Sequence, residues 1–228
     1  MTRPLVIAID GPAASGKSTL GYHLARYLNY LYLDTGALYR AVTLAALRRG
    51  IPIEDEARVT ALAESLPIEV RPPQGEDDGR QYTVLLDGED VTWALRTPRV
   101  DRAVSPVSAY PGVRAALTRR MREIARRGSV VMVGRDIGTV VLPDADLKLY
   151  VVASLDARAR RRFLDRLAQG KQVSLEEVRT DLARRDRIDS SREAAPLRPA
   201  ADAIILDNTN LTAEETFREA ERLVREDC

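Results

Sequence analysis

The chain has 228 residues, 45% hydrophobic and 30% charged, and its 35 basic and 34 acidic residues leave a formal net charge of +1. That is the composition of one folded domain with ample material for a core, and the near-neutral balance argues against a protein that coats nucleic acid or carries a disordered acidic tail. A single cysteine, Cys228, excludes an internal disulfide or a cysteine zinc site; no apolar run reaches the roughly 18–20 residues of a bilayer span, and the start is too short and too soon acidic for a secretory signal, so a cytoplasmic protein is expected.

Strand-like and helix-like stretches alternate along the chain. Residues 6–9 are a short apolar run closed by Asp10, Gly11 and Pro12, and residues 17–28 then place Leu20, Leu24, Tyr27 and Leu28 at helical spacing. A second run at 30–33 leads into a helix over 36–49, with Leu38, Val42, Ala45 and Ala46 on one side and Gly50 as its stop. Residues 55–65 are helical, and 113–127 form a helix with Val113, Leu117, Met121 and Ile124 inward. Buried strands are expected at 130–133 and 147–152 and a last strand at 203–206, with helices at 155–169 and 174–190. Ser174 with Glu177, and Thr212 with Glu215, have the spacing of capping boxes. Strands separated by helices pair in parallel, because a crossover must return the chain. The exception is 66–95, where runs at 68–70, 82–86 and 89–91 are joined by turns and predict a small antiparallel insert on an α/β core.

Gly11, Pro12, Ala13, Ala14, Ser15, Gly16, Lys17 and Ser18 match G-x-x-x-x-G-K-[ST] at every fixed position, after a strand and ahead of a helix. The glycines let the segment curl so that successive backbone N–H groups face a phosphate, and the helix N-terminus adds partial positive charge. Lys17, one of only three lysines, is a compact charge for the β- and γ-phosphates, and Ser18 offers a hydroxyl to Mg2+. The segment therefore predicts nucleoside triphosphate binding. Neither a guanine-reading N-K-x-D nor a D-x-x-G occurs, which sets aside a GTP switch. The run 130–133 ends in Gly134, Arg135 and Asp136 rather than in the Asp-Glu pair of a motor or transport ATPase. A positive residue there suits a second anion, and so transfer to a bound acceptor rather than hydrolysis.

Asp34, Thr35, Gly36 and Arg40 follow the second run and open a helix. The N–H groups, the Thr35 hydroxyl and Arg40 can together hold a phosphate; the same pattern also serves as an ordinary helix cap beside a solvated arginine.

Taken together, segments 11–19, 34–40 (Asp-Thr-Gly-Ala-Leu-Tyr-Arg), 134–139 (Gly-Arg-Asp-Ile-Gly-Thr) and 185–192 (Arg-Asp-Arg-Ile-Asp-Ser-Ser-Arg) resemble the bacterial cytidylate kinases, in that family's order and over essentially the whole chain. The resemblance implies a P-loop kinase fold: a parallel core sheet flanked by helices, a small antiparallel CMP-binding insert over 66–97 and a helical lid over 155–192, in a single domain whose core is 1–65, 98–154 and 193–228. It implies transfer of the γ-phosphoryl group of ATP, with Mg2+, to CMP or dCMP. It gives the loop from Gly11 to Thr19 to ATP, with Ser18 on the metal, and Thr35, Arg40, Arg135 and Arg192 to the CMP phosphate. Ser105, Arg114 and Asp136 fall to the cytosine, Asp189 to the ribose, and Lys17, Arg158, Arg162 and Arg185 to catalysis. A monomer without nucleic-acid or membrane partners is expected.

Hydrogen-bonding chemistry supports the base reader. Cytosine presents an amino donor at N4 and acceptors at N3 and O2, which suit a carboxylate and a guanidinium. Uracil reverses the pattern at N3 and position 4, so a buried polar site rejects it. Two plainer roles stay open, Arg114 as a solvated helix arginine and Asp136 as a local partner of Arg135. In the helix at 155–169, Leu155, Ala159, Phe163 and Leu167 share one face, with Arg158, Arg161, Arg162 and Arg166 off it; Arg160 and Arg166 are expected to be solvated. His23, the only histidine, predicts a structural or exposed role. Trp93, Tyr27, Tyr30 and Tyr32 predict packing.

Overall fold

The apolar run ahead of the glycine-rich segment forms β1 (Val6–Asp10), buried from Ile7 onward. The computed structural model describes residues 5–191 and 195–227. After the phosphate segment come α1 (Lys17–Leu28), β2 (Leu31–Asp34), α2 (Gly36–Arg48) and α3 (Glu56–Ser65). Three short strands follow, β3 (Ile68–Arg71), β4 (Thr83–Leu86) and β5 (Glu89–Asp90), then α4 (Pro98–Ala109), α5 (Pro111–Ala125) and β6 (Val130–Val133). The chain ends with β7 (Leu147–Val152), α6 (Leu155–Ala168), α7 (Leu175–Ser190), β8 (Ile204–Asp207) and α8 (Ala213–Asp227). Five strands make one sheet in the order β2-β6-β1-β7-β8, and β3-β4-β5 make another. The β1–β7 and β7–β8 pairs are parallel, as the helical crossovers require. The small sheet is antiparallel, with Ile68 opposite Leu86 and Leu85 opposite Asp90. Among the described residues, no helix is long and apolar enough to cross a membrane.

Two compact units divide the chain, 1–29 with 131–228, and 30–130. In the first, Ile7, Ile9, Leu24, Val131, Met132, Val133, Leu149 and Val151 are buried. Such unbroken apolar strands mark a parallel sheet covered on both faces, and each large side chain stabilises the fold by about 1.5–3 kcal/mol. Helices α6 and α7 form a hairpin whose seam, Ala159, Val178 and Leu182 flanked by Leu155, Phe163 and Val173, packs on Ala13 and Ala14 of the phosphate segment. Leu167, expected on that seam, is instead 45% exposed. Capping boxes close the starts of α7 and α8, with Ser174 and Glu177 exchanging bonds and the Thr212 and Glu215 side chains each accepting the other's backbone N–H.

In the second unit α2 buries Leu38, Ala41, Val42, Ala45 and Ala46, and α5 buries Val113, Leu117 and Met121. The Arg80 side chain is 8% exposed among Glu76, Asp78 and Asp90; its guanidinium holds the Asp78 carboxyl far below the usual carboxylate range. Trp93 is not a packing residue: it is 49% exposed and its indole N–H donates to Asp78 at 2.7 Å. In the first unit, Tyr27 is likewise 47% exposed, edge-on to Phe217.

Two elements depart from the sequence expectations. Helix α4 forms although Pro106 lies inside it and has no N–H to give the carbonyl four residues back. Pro98 at its first position is pre-set for helix, and Pro106 is exposed, so the missing bond faces water. After Asp136 the chain makes a wide π-type turn over Ile137–Val141, in which the Asp136 carbonyl accepts from both Val140 and Val141.

Gly11 sits with φ +149°, and a Cβ there would lie 2.2 Å from the Val151 carbonyl oxygen. Gly11→Ala is expected to lower the unfolding free energy by roughly 2–3 kcal/mol in urea titrations. A wild-type midpoint would contradict this contact.

Candidate functional site

The phosphate segment is shaped by what holds its carbonyl oxygens. The Pro12 carbonyl accepts from the Lys17 ammonium at 2.9 Å. The Ala13 carbonyl accepts from Arg158 at 3.1 Å, and the Ser15 carbonyl from the Asn208 amide at 2.9 Å. Asn208 is oriented from behind, since Arg161 donates to its side-chain oxygen at 2.9 Å and to its backbone carbonyl at 2.6 Å. With these oxygens engaged by side chains, the N–H groups of the curl are left to meet an anion. Ala14 with φ 59° and Gly16 with φ 89° give the segment its curl, and a Cβ at Gly16 would press on the Asn208 amide at 3.1 Å. Helix α1 starts directly behind, with no acidic residue in its first turn and no side-chain cap, so its N–H groups and dipole remain for a phosphate.

These residues fit a triphosphate. The Ser15 hydroxyl is fully buried in the curl and has no hydrogen-bond partner, and the Ser18 side chain is half-buried at the start of α1. Among the described residues no cluster of three or more His, Cys, Asp or Glu could hold a metal. A magnesium ion would therefore rest on Ser18, water and phosphate oxygens, as this ion commonly does.

Beside the loop, the turn after β6 carries Arg135 and Asp136. The Arg135 Nε lies 2.7 Å from the Asp189 carboxylate near the end of α7, and both side chains are largely buried. A second contact of Arg135 reaches the Gly11 carbonyl at 3.5 Å. Asp136 is 8% exposed and makes no side-chain cap to the turn that follows it. Asp10, at the end of β1, accepts the N–H groups of Ile137 at 2.9 Å and Gly138 at 2.8 Å. Burial pushes its carboxyl up to about 6 against the pull of those two N–H groups, with Asp136 adding to the rise and Lys17 opposing it.

In the second unit, Asp34 takes the first N–H of α2, Gly36, at 3.0 Å. The buried Thr35 occupies the capping position without a side-chain cap bond, so the plain helix cap expected as an alternative falls to Asp34. Arg40 donates to Asp101 at 2.5 Å and to the Leu95 carbonyl at 3.1 Å. Arg114 donates to the Ser108 carbonyl at 3.2 Å and lies 5.8 Å over the Tyr39 ring. It is thus a held side chain rather than a solvated one, worth about 0.5–1 kcal/mol for the ring contact alone. Ser105 is exposed on α4, beside Pro106.

The expected arginines of the helix hairpin separate. Arg158 is 5% exposed and bonded to the Ala13 and Ala153 carbonyls and, through two bonds, to Asp186. The guanidinium expected to act in catalysis is here bonded to two backbone carbonyls and a carboxylate. Arg162 and Arg185 are exposed. Arg166, expected in a solvated, salt-bridged helix pair, is half-buried and lies 3.8 Å from Asp181 of the facing helix. Arg192 lies outside the described residues. Asp10, Arg161 and Asn208 were not legible as site residues, because their partners are distant in sequence; Asp186 lies inside segment 185–192, but its pairing with Arg158 is not written there.

A parallel α/β sheet, a glycine-curled loop at the end of its central strand and an arginine-bearing turn beside it define a P-loop phosphotransferase. The family model described as "Cytidylate kinase" matches residues 7–226. The chain is 54% identical over 215 residues to the cytidylate kinase of Chloroflexus aggregans, covering 94% of this chain and 91% of that protein. It is 51% identical over 215 residues to that of Roseiflexus castenholzii, with the same coverage, and 45% identical over 225 residues to that of Bacillus licheniformis, covering 98% and 97%. The chain belongs to the cytidylate kinase family.

The Arg158–Asp186 pair gives a direct test of how the loop is held. A double-mutant cycle with Arg158→Met and Asp186→Asn is expected to return a coupling energy of about 1–3 kcal/mol in unfolding titrations. Strict additivity would remove the pair from the account.

Proposed function

We propose that the chain transfers the γ-phosphoryl group of ATP to CMP or dCMP, giving ADP and CDP or dCDP. Family membership supports this, and so does the observation that carries it: a phosphate loop with its carbonyls held by side chains, beside a turn bearing a guanidinium and a largely buried carboxylate. The loop from Gly11 to Thr19 binds ATP, its N–H groups and the Lys17 ammonium spreading over the phosphate oxygens. Magnesium, held by Ser18, supplies further neutralisation of the phosphates when bound. Thr35, Arg40, Arg135 and Arg192 take the phosphate of the acceptor, Ser105, Arg114 and Asp136 its base, and Asp189 its ribose.

Phosphoryl transfer needs little covalent work from protein groups. It needs the two oxygens in line, the spreading charge neutralised and water kept out. Arg162 and Arg185, exposed on the helix hairpin, can meet the transferred group; Arg158 holds the loop to that hairpin. We assign segment 155–192 to a lid and 66–97 to an acceptor-side insert, within one domain whose remaining parts form the core. Asp136 accepts from the N4 amine that distinguishes cytosine from uracil.

The test supplies ATP and Mg2+ with CMP, dCMP, UMP or AMP in turn and follows ADP. ADP formation is expected to depend on CMP or dCMP. In Asp136→Ala the CMP KM is expected to rise by roughly ten- to a hundredfold, the cost of a charged hydrogen bond, with ATP affinity by calorimetry unchanged. ADP formed equally without any acceptor would overturn the assignment.

A further inference from the structure

We infer that Asp10 is a positioning residue that fixes the turn carrying Arg135 and Asp136 to the root of the phosphate loop. The inference rests on the assignment of that turn to the acceptor nucleotide.

Asp10 is the last residue of β1, directly before Gly11. Its two carboxylate oxygens are used separately, one for the Ile137 N–H at 2.9 Å and one for the Gly138 N–H at 2.8 Å. These are the first two N–H groups after Asp136. A carboxylate that accepts two backbone bonds in this way prescribes both the position and the tilt of the peptide segment above it. Two further contacts brace the same turn. The Gly134 N–H donates to the Ile9 carbonyl at 3.0 Å, and Arg135 reaches the Gly11 carbonyl at 3.5 Å. The Lys148 stem also closes on Gly138, where a Cβ would lie 3.2 Å from Lys148 Cδ and 3.5 Å from Asp10 Oδ2. Lys148 is itself pinned by its ammonium to the Pro143 carbonyl and to Asp202.

The arrangement is chemically expensive. Asp10 is 5% exposed, and a desolvated carboxylate is tolerated only where its bonds require the charge. An uncharged amide cannot serve both N–H groups, because one of its two terminal atoms is itself a donor. The charge is what lets a single side chain clamp two successive N–H groups. In-line transfer is sensitive to misplacement of about 1 Å, and this carboxylate is the one side chain that ties the strand leading into the donor loop to two successive N–H groups of the turn assigned to the acceptor.

The groups facing Asp10 are Lys17 from α1, Asp136 from the turn and Tyr150 from β7, with the Lys148 stem behind Gly138. Protonation of Asp10 converts one acceptor oxygen to a hydroxyl and releases one N–H. Its carboxyl stands near 6, so the clamp weakens as the pH falls through that region.

The experiment compares the wild-type chain with Asp10→Asn. The variant is expected to fold, to keep its calorimetric ATP affinity within about threefold, and to lose roughly ten- to a hundredfold in kcat/KM for CMP. Hydrogen exchange at the Ile137 and Gly138 amides is expected to quicken, with the amides of β1 unchanged. A folded variant with wild-type CMP kinetics and unchanged exchange would overturn the inference, and so would a loss of ATP and CMP binding in equal measure. Should the variant not fold, the wild-type chain alone decides. Corrected for the intrinsic pH dependence of exchange, protection of these two amides is expected to fall between pH 7.5 and 5.5, and constant protection would overturn the clamp. A wild-type chain that does not phosphorylate CMP would refute the proposed function instead, leaving the exchange result to stand by itself.

Discussion

The organising constraint in this protein is the capture of the phosphate loop's carbonyl oxygens by side chains. A seven- or eight-residue curl in isolation would sample many shapes, and fixing each residue costs about 1–2 kcal/mol of conformational entropy. Here Lys17, Arg158 and Asn208 hold the carbonyls of Pro12, Ala13 and Ser15, while the methyl groups of Ala13 and Ala14 pack into the seam of the helix hairpin. With these oxygens engaged, the loop is held in its curl and its N–H groups are left for a phosphate before any nucleotide arrives. The binding energy of a nucleotide then need not be spent on ordering the cradle.

This constraint explains side chains that would otherwise look redundant. Arg161 orients Asn208, Asp186 orients Arg158, and the Arg158 guanidinium bridges the loop to α6 and α7. The arginine-rich hairpin is therefore two populations. Arg158 and Arg161 are tied to backbone oxygens, while the side chains of Arg162 and Arg185 are exposed. The turn bearing Arg135 and Asp136 follows the same logic, held by Asp10 below and Lys148 behind. In the second unit, Arg40 and Arg114 are also held by named acceptors rather than left in water. Arginine suits these places because its planar fork loses less freedom per bond than a lysine would.

Much of this was legible in the sequence because it is written locally. The phosphate motif occupies eight successive positions, the capping boxes four each, and the apolar strands of the sheet are continuous runs. The antiparallel insert announced itself by turns without an intervening helix. Helix α4 was not legible, since Pro98 and Pro106 obscure its period and its missing hydrogen bond is tolerated only because that side faces water. Asp10 read as the end of a strand, and Asn208 drew no reading at all. Their roles come from partners 127 to 193 positions away, a relation that no local pattern carries. Arg158 was legible as an arginine on a helix, but not as the one whose position buries it. Trp93 shows the converse: a large ring suggests a core, whereas its indole N–H is spent on Asp78 at the surface of the insert.

The most direct test is the backbone order of the phosphate loop in the chain without nucleotide. Amide relaxation measured at Gly11, Ala14, Ser15 and Gly16 is expected to give order parameters near 0.85, as in a rigid strand. Values below about 0.6, rising only when ATP is added, would mean that the nucleotide builds the cradle, and would contradict the account.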